Sequence, residues 1–249
     1  MNILSDIKIE LLKIKRTKTF LHTIFIIMIA VLWAISASIN YLNRADEKFL
    51  NIIIANFIDL NIIFLPIVIS LITNKICDIE HKHQTFKYMK AIGINKSSIF
   101  KSKFIFLFIN LSFMIIIETV FIIILSNLYN IRIDKNLIRF ILGNIVSVYI
   151  LNSLFLFIAI EYKNKFFLLS SGIIGGFIGI ILSRLPIFIR AIIPFGIISV
   201  LSPIDIKYNE ITKKIVYYDK NNFILLLIYF IIGVLLYKIL KKYVDKEEY

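Results

Sequence analysis

The feature that most constrains this chain is a series of long, almost uncharged apolar runs, at about 20–42, 52–75, 104–128, 137–160, 166–183 and 222–240. A helix rises about 1.5 Å per residue, so roughly 20 apolar residues cover the ~30 Å hydrocarbon core of a bilayer. Each run approaches or exceeds that length. The chain is 59% hydrophobic, whereas soluble domains sit near about 45–50%. A soluble fold of 249 residues has too little interior to hide the excess. The reading is an all-α polytopic membrane protein with six transmembrane helices, built as one transmembrane domain over 1–249.

Two other segments complete that architecture. In 1–19, Ile3, Leu4, Ile7, Leu11 and Ile14 share one helical face, while Lys8, Lys13, Lys15 and Arg16 lie largely away from it. This pattern predicts an amphipathic interfacial helix lying on the membrane before the first span. Span one is too long for a signal-peptide core and follows nineteen residues, so it is read as a retained span. Pro66 lies inside span two, where proline is tolerated and usually marks a kink. Residues 187–201 are apolar, but Pro186, Pro194 and Pro203 punctuate them. Fifteen residues with a central proline make a poor span, so 184–221 is read as a re-entrant or interfacial outer hairpin before the last span, with a seventh span as the alternative.

Charge sets the orientation. The net charge of +13 lies mostly between the apolar runs, which points to membrane-flanking loops and not to nucleic acid. With the N-terminus inside, the cytoplasmic segments hold eighteen Lys and Arg and the outer segments eleven. Basic residues favour the cytoplasmic side, so both termini are expected there. The lone Cys77 cannot make an intrachain disulfide.

The residues carry little recognisable enzyme chemistry. There is no phosphate-binding GxxxxGK[ST] loop, no HExxH and no GxSxG. The chain is therefore expected to hydrolyse no ATP and to bind no cofactor itself. The run from Cys77 to His83 collects possible zinc ligands, but its spacing fits no closed site. Two acids fall inside spans, Asp59 and Glu118. An intramembrane carboxylate is costly and normally faces protein or a water path. Each is either a substrate or ion contact or a buried hydrogen bond to another span, with Asn56, Asn61 and Asn110 as nearby amides. Gly172, Gly175, Gly176 and Gly179 form overlapping GxxxG patterns in span five, and Ala30, Ala34 and Ser38 make a small-residue stripe in span one. Small residues let helix backbones approach closely, either between two subunits or within one chain.

The most specific stretch is the basic connector between spans two and three, EHKHQTFKYMKAIGINKSSIFKSK over 80–103. It resembles the first cytoplasmic loop of ABC-2 type exporter permeases, which shows an acid, a threonine, an apolar stretch, a serine-rich turn and a lysine entering the next span. The matching residues are Glu80, Thr85, the stretch 88–92, Ser97 with Ser98, and Lys103; Gln84 stands where the family's glycine precedes the threonine. Size and the sequence IKIELLKIKRTKTF over 7–20 look most like permease subunits of lantibiotic immunity transporters. The resemblance implies a bacterial cytoplasmic-membrane exporter removing an antimicrobial peptide, with ATP and magnesium on a separate ATPase chain. It implies an ATPase coupling loop at Glu80, Thr85, Tyr88, Met89, Ile92 and Lys103, and a second permease chain, the same or a sister, along spans one and five at Ala34, Ser38, Gly172, Gly175, Gly176 and Gly179. The competing readings are an ion-coupled secondary transporter with Glu118 and Asp59 as its relay, an ABC-2 exporter of lipid or drug, and a membrane interaction protein that transports nothing.

Overall fold

A computed structural model describes residues 12, 19–45, 48–82, 88, 89, 91, 95–162, 164–209 and 214–246. The expected interfacial helix over 1–19 lies almost wholly outside the described residues. Six long helices carry the apolar runs: α1 (Thr19–Arg44), α2 (Leu50–Lys82), α3 (Lys96–Leu128), α4 (Lys135–Glu161), α5 (Lys165–Ser183) and, after an irregular stretch, the last helix (Phe223–Lys246). All six are long and apolar enough to cross a membrane. α2 and α3 outrun their apolar cores and reach 33 residues each.

α2 is the central helix. In its most apolar window 72% of the residues are buried, against 17% for the last helix. It packs on α5, α1, α4 and α3. Pro66 lies inside it without ending it. The outer faces are apolar: Phe25, Leu32 and Trp33 on α1, Phe177 and Ile181 on α5, and Ile224 and Ile231 on the last helix are all exposed. Exposed aliphatic and aromatic surface on this scale requires lipid as the solvent.

Between α5 and the last helix the chain breaks up as its prolines require. Pro186 caps α6 (Ile187–Ile192), Pro194 opens a single 3-10 turn to Gly196, and α7 (Ile197–Leu201) stops before Pro203. Each proline lacks the amide hydrogen a continuing helix needs. Pieces of six, three and five residues are too short to cross ~30 Å, so 187–201 forms no seventh span. α7 is nonetheless deep: Val200 and Leu201 pack with Val146 and Ile150 of α4 and Leu226 of the last helix, which is labelled α8 from here.

A β-hairpin follows, which the sequence reading did not expect. β1 (Ile204–Asn209) pairs antiparallel with β2 (Lys214–Asp219), Ile204 opposite Asp219. An isolated two-stranded hairpin is marginal in water. This one is tied to the bundle at its base, where Asp219 accepts amide hydrogens from Asn51 of α2 at 2.7 Å and Asn136 of α4 at 2.8 Å. The molecule thus has a hairpin face, and an opposite face where α2 ends at Lys82 and α3 begins at Lys96.

Candidate functional site

On the connector face, α2 ends in a cluster of polar ties. Glu80 and Lys103 form an ion pair at 2.8 Å with exposures of 1% and 0%. Asp78 pairs with Lys165 of α5 at 2.6 Å and Lys82 at 3.3 Å. A ring nitrogen of His81 lies 2.8 Å from the Ala159 carbonyl of α4. The end of α2 is thereby fixed to three other helices.

The six coupling-loop residues divide accordingly. Tyr88 is exposed, 69%, and Met89 packs against the core. Thr85 and Ile92 lie outside the described residues. Glu80 and Lys103 are buried inside the bundle and paired with each other. Burying both charges carries a desolvation cost that is offset only because the carboxylate and the ammonium meet at close range.

In the middle of the bundle, Glu118 of α3 accepts a hydrogen bond from the Asn61 amide of α2 at 2.8 Å, and that amide also reaches Asn144 of α4 at 3.2 Å. Of the three asparagines considered, Asn61 is the partner; Asn56 and Asn110 bond the carbonyls of Ile52 and Phe106 on their own helices. The pocket beside Glu118 holds only about 20 Å³ and is otherwise lined by apolar side chains such as Ile27, Phe64 and Leu111. Asp59 lies elsewhere, facing Arg184 at 3.5 Å on the hairpin face. The two acids belong to different pockets, so they do not join into the relay that ion-coupled transport would need.

The small residues of α5 and α1 pack within the chain. A methyl group on Gly172 would strike Ser70 and the Pro66 carbonyl, on Gly176 the Ile63 carbonyl, and on Gly179 Ile62, all on α2; on Gly175 it would strike Phe195. The glycine face of α5 is filled by this chain's own α2 and by the segment after α5. Ala34 and Ser38 are likewise buried, on a helix that packs against α2. These small residues make their close approaches within this one chain.

A cavity of about 900 Å³ opens between α1, α2, the end of α5 and the hairpin segment. Asp59, Arg184, Arg190, Asp205 and Lys220 line it, with Tyr41 and Tyr217. Arg190 is 7% exposed and lies 3.3–3.5 Å from Asp205. Lys220 donates to the Val200 carbonyl at 2.7 Å. Burial, aided by the Arg190 guanidinium, lowers its ammonium to about 8. Burial, with Tyr41 and Asp59 nearby, raises the Tyr217 hydroxyl to about 12. Sequence reasoning missed this site apart from Asp59. The signal was present as one arginine inside the apolar run 187–201.

Residues 6–183 match a family model described as ABC-2 family transporter protein. The match covers most of the chain. The protein belongs to the ABC-2 transporter family. No curated protein and no solved structure matches it. This ABC-2 chain is a membrane transport subunit and not itself a catalyst, and permeases of its family normally work with an ATPase subunit. The matched range takes in α1 to α5, the braced connector and Asp59, while Arg190, Asp205 and Lys220 lie beyond it.

Proposed function

We propose that this permease exports a lipid-embedded antimicrobial peptide of the lantibiotic kind from a bacterial cytoplasmic membrane, giving self-immunity or resistance. The connector face is cytoplasmic, as its basic residues favour, and both termini lie there. A separate ATPase, carrying ATP and magnesium, docks on the 83–95 connector.

The observation that carries this reading is the connector itself. Its ends are locked together by the buried Glu80–Lys103 pair, while Tyr88 stands out into solvent. A braced junction of α2 and α3 next to an exposed aromatic side chain suits the transmission of force: a partner gripping Tyr88 moves α2 and α3 as a unit, and α2 is the centre of the bundle. A second permease chain pairs along the outer faces of α1 and α5, where large apolar residues such as Trp33 and Phe177 are exposed. The lantibiotic cargo rests on the resemblance of the N-terminal stretch and of the chain's size. Of the two membrane-level carboxylates, Glu118 is closed in against Asn61, and Asp59, which lines the open cavity, is the one within reach of a cargo.

The test is expression with the ATPase in a lantibiotic-sensitive bacterium. The inhibitory peptide concentration should rise and intact peptide should appear in the medium. Tyr88→Ala should release the ATPase on co-purification without lowering membrane abundance. An assembled complex that gives no protection would overturn the cargo. Protection with no ATPase attached would overturn the energy coupling.

A further inference from the structure

The hairpin-face cavity holds three cations and two carboxylates, from five separate parts of the chain: Asp59 on α2, Arg184 after α5, Arg190 on α6, Asp205 on β1 and Lys220 after β2. Charge-assisted hydrogen bonds close at about 2.7–2.9 Å. Here the Arg190–Asp205 contacts are 3.3–3.5 Å and the Arg184–Asp59 contact is 3.5 Å. Both ion pairs are therefore at the long end of the range. The Arg190 Nε is moreover buried without a hydrogen-bond partner. A buried guanidinium nitrogen left unpaired is costly, and the planar fork it belongs to matches the oxygens of a phosphate.

The depth of the cavity identifies which phosphate. The 33 residues of α2 extend about 50 Å, roughly 20 Å more than the hydrocarbon core. Asp59 is nine positions after Leu50, about 13 Å along the axis. Asp59 also lies about seven positions inside the apolar run 52–75, ~10 Å from its outer end, so the cavity runs from the hairpin segment through the headgroup level to the outer hydrocarbon. The remaining wall is partly apolar, through Ala55, Leu185, Pro186 and Ile187, and two tyrosines, Tyr41 and Tyr217, stand with the charges. Tyrosine is enriched at that level of a membrane. A phosphate with acyl chains attached satisfies both parts of the wall, and a free phosphate satisfies one.

We propose that this cavity binds the phosphodiester headgroup of an anionic phospholipid, with Arg184, Arg190 and Lys220 as its cationic contacts. The excess of one positive charge favours a headgroup with a net negative charge over a zwitterion. The site is independent of the cargo the permease carries and of its ATPase. It requires only that the chain lies in a membrane.

The experiment is native mass spectrometry of the full-length chain released from micelles doped with phosphatidylglycerol or phosphatidylcholine. The wild type should retain one phosphatidylglycerol with about tenfold preference, the scale of one charge-assisted hydrogen bond. Arg190→Gln should abolish the preference. Since Arg190 is buried and its variant can misfold, Arg184→Gln and Lys220→Gln are measured in parallel and should each weaken retention several-fold, about the same scale. Arg132→Gln, an exposed cation on the α3–α4 turn, should change nothing. Equal retention of the two lipids, or retention unmoved by Arg184→Gln and Lys220→Gln, would overturn the proposal. So would tight binding of glycerol 3-phosphate with no lipid preference, which would assign the cavity to a soluble phosphate ester.

Discussion

Glu80 and Lys103, at opposite ends of the connector, meet 2.8 Å apart with almost no exposure to solvent. A pair of this kind has little margin. Removing one partner leaves an uncompensated buried charge and costs about 3–5 kcal/mol, while replacing both by apolar residues of similar size is often neutral. Glu80→Leu and Lys103→Met should therefore each lower the melting temperature of the purified protein sharply, and the double variant should recover most of the loss. A double variant as unstable as the sum of the singles would mean that the two residues act separately.

The glycines of α5 give a second, graded prediction. A methyl on Gly176 meets the Ile63 carbonyl, which is backbone and can only move with α2. A methyl on Gly233 of α8 meets the side chains of Ile150 and Tyr149 at 3.0 and 3.1 Å, which can rotate away. Gly176→Ala should destabilise by about 1–3 kcal/mol, the usual range for overpacking, and Gly233→Ala by much less. Thermal unfolding of the two variants checks the order. Because Gly176 faces α2 and Gly233 faces α4 of the same chain, neither change should alter the permease's oligomeric state in cross-linking.

What the sequence displayed and what it concealed follow one physical division. Spans are legible because crossing a bilayer is a demand on consecutive residues, so run length alone located six helices. The buried acid Glu118 was legible too, and Asn61, an amide 57 positions away, was among its candidate partners. The glycine spacing in α5 announced a close backbone approach but not the partner, since a spacing of four serves a neighbouring helix of either chain. The β-hairpin was hidden although Ile204, Ile206 and Tyr208 alternate with polar residues, because the prolines before it dominated the segment. The cavity was invisible as a site: its five charges are scattered from 59 to 220 and meet only through tertiary packing.

Glu118 is held at 2.8 Å by Asn61, in a pocket with room for about one water molecule. Gln at this position keeps an acceptor oxygen for the Asn61 amide, whereas Leu removes it. Glu118→Gln should leave membrane abundance and export unchanged. Glu118→Leu should destabilise by about 1–3 kcal/mol, the cost of an unsatisfied buried polar group. Quantitative blotting and the peptide-protection assay separate the two. Normal abundance with lost export in Glu118→Gln would assign the carboxylate to the cargo path.

Lys220 predicts a pH dependence of stability. It is faced by Arg190 from α6, Asp205 from β1, Tyr217 from β2, Asp59 from α2 and Arg184 after α5. Burial, and then the Arg190 charge, lower it from 10.5 to about 8 in the folded protein. Between those values the unfolded chain binds the proton more tightly than the folded one, so stability rises with pH across that window. Tyr217 acts in the opposite sense, but its hydroxyl is raised from 10.0 to about 12, so its effect begins only above about pH 10. Melting temperatures between about pH 8 and pH 9.5, in a zwitterionic detergent free of anionic lipid, should therefore climb in the wild type. The slope should be lost in Lys220→Met, which keeps the aliphatic stem and removes the charge. An unchanged slope in that variant would mean that another group sets the pH response.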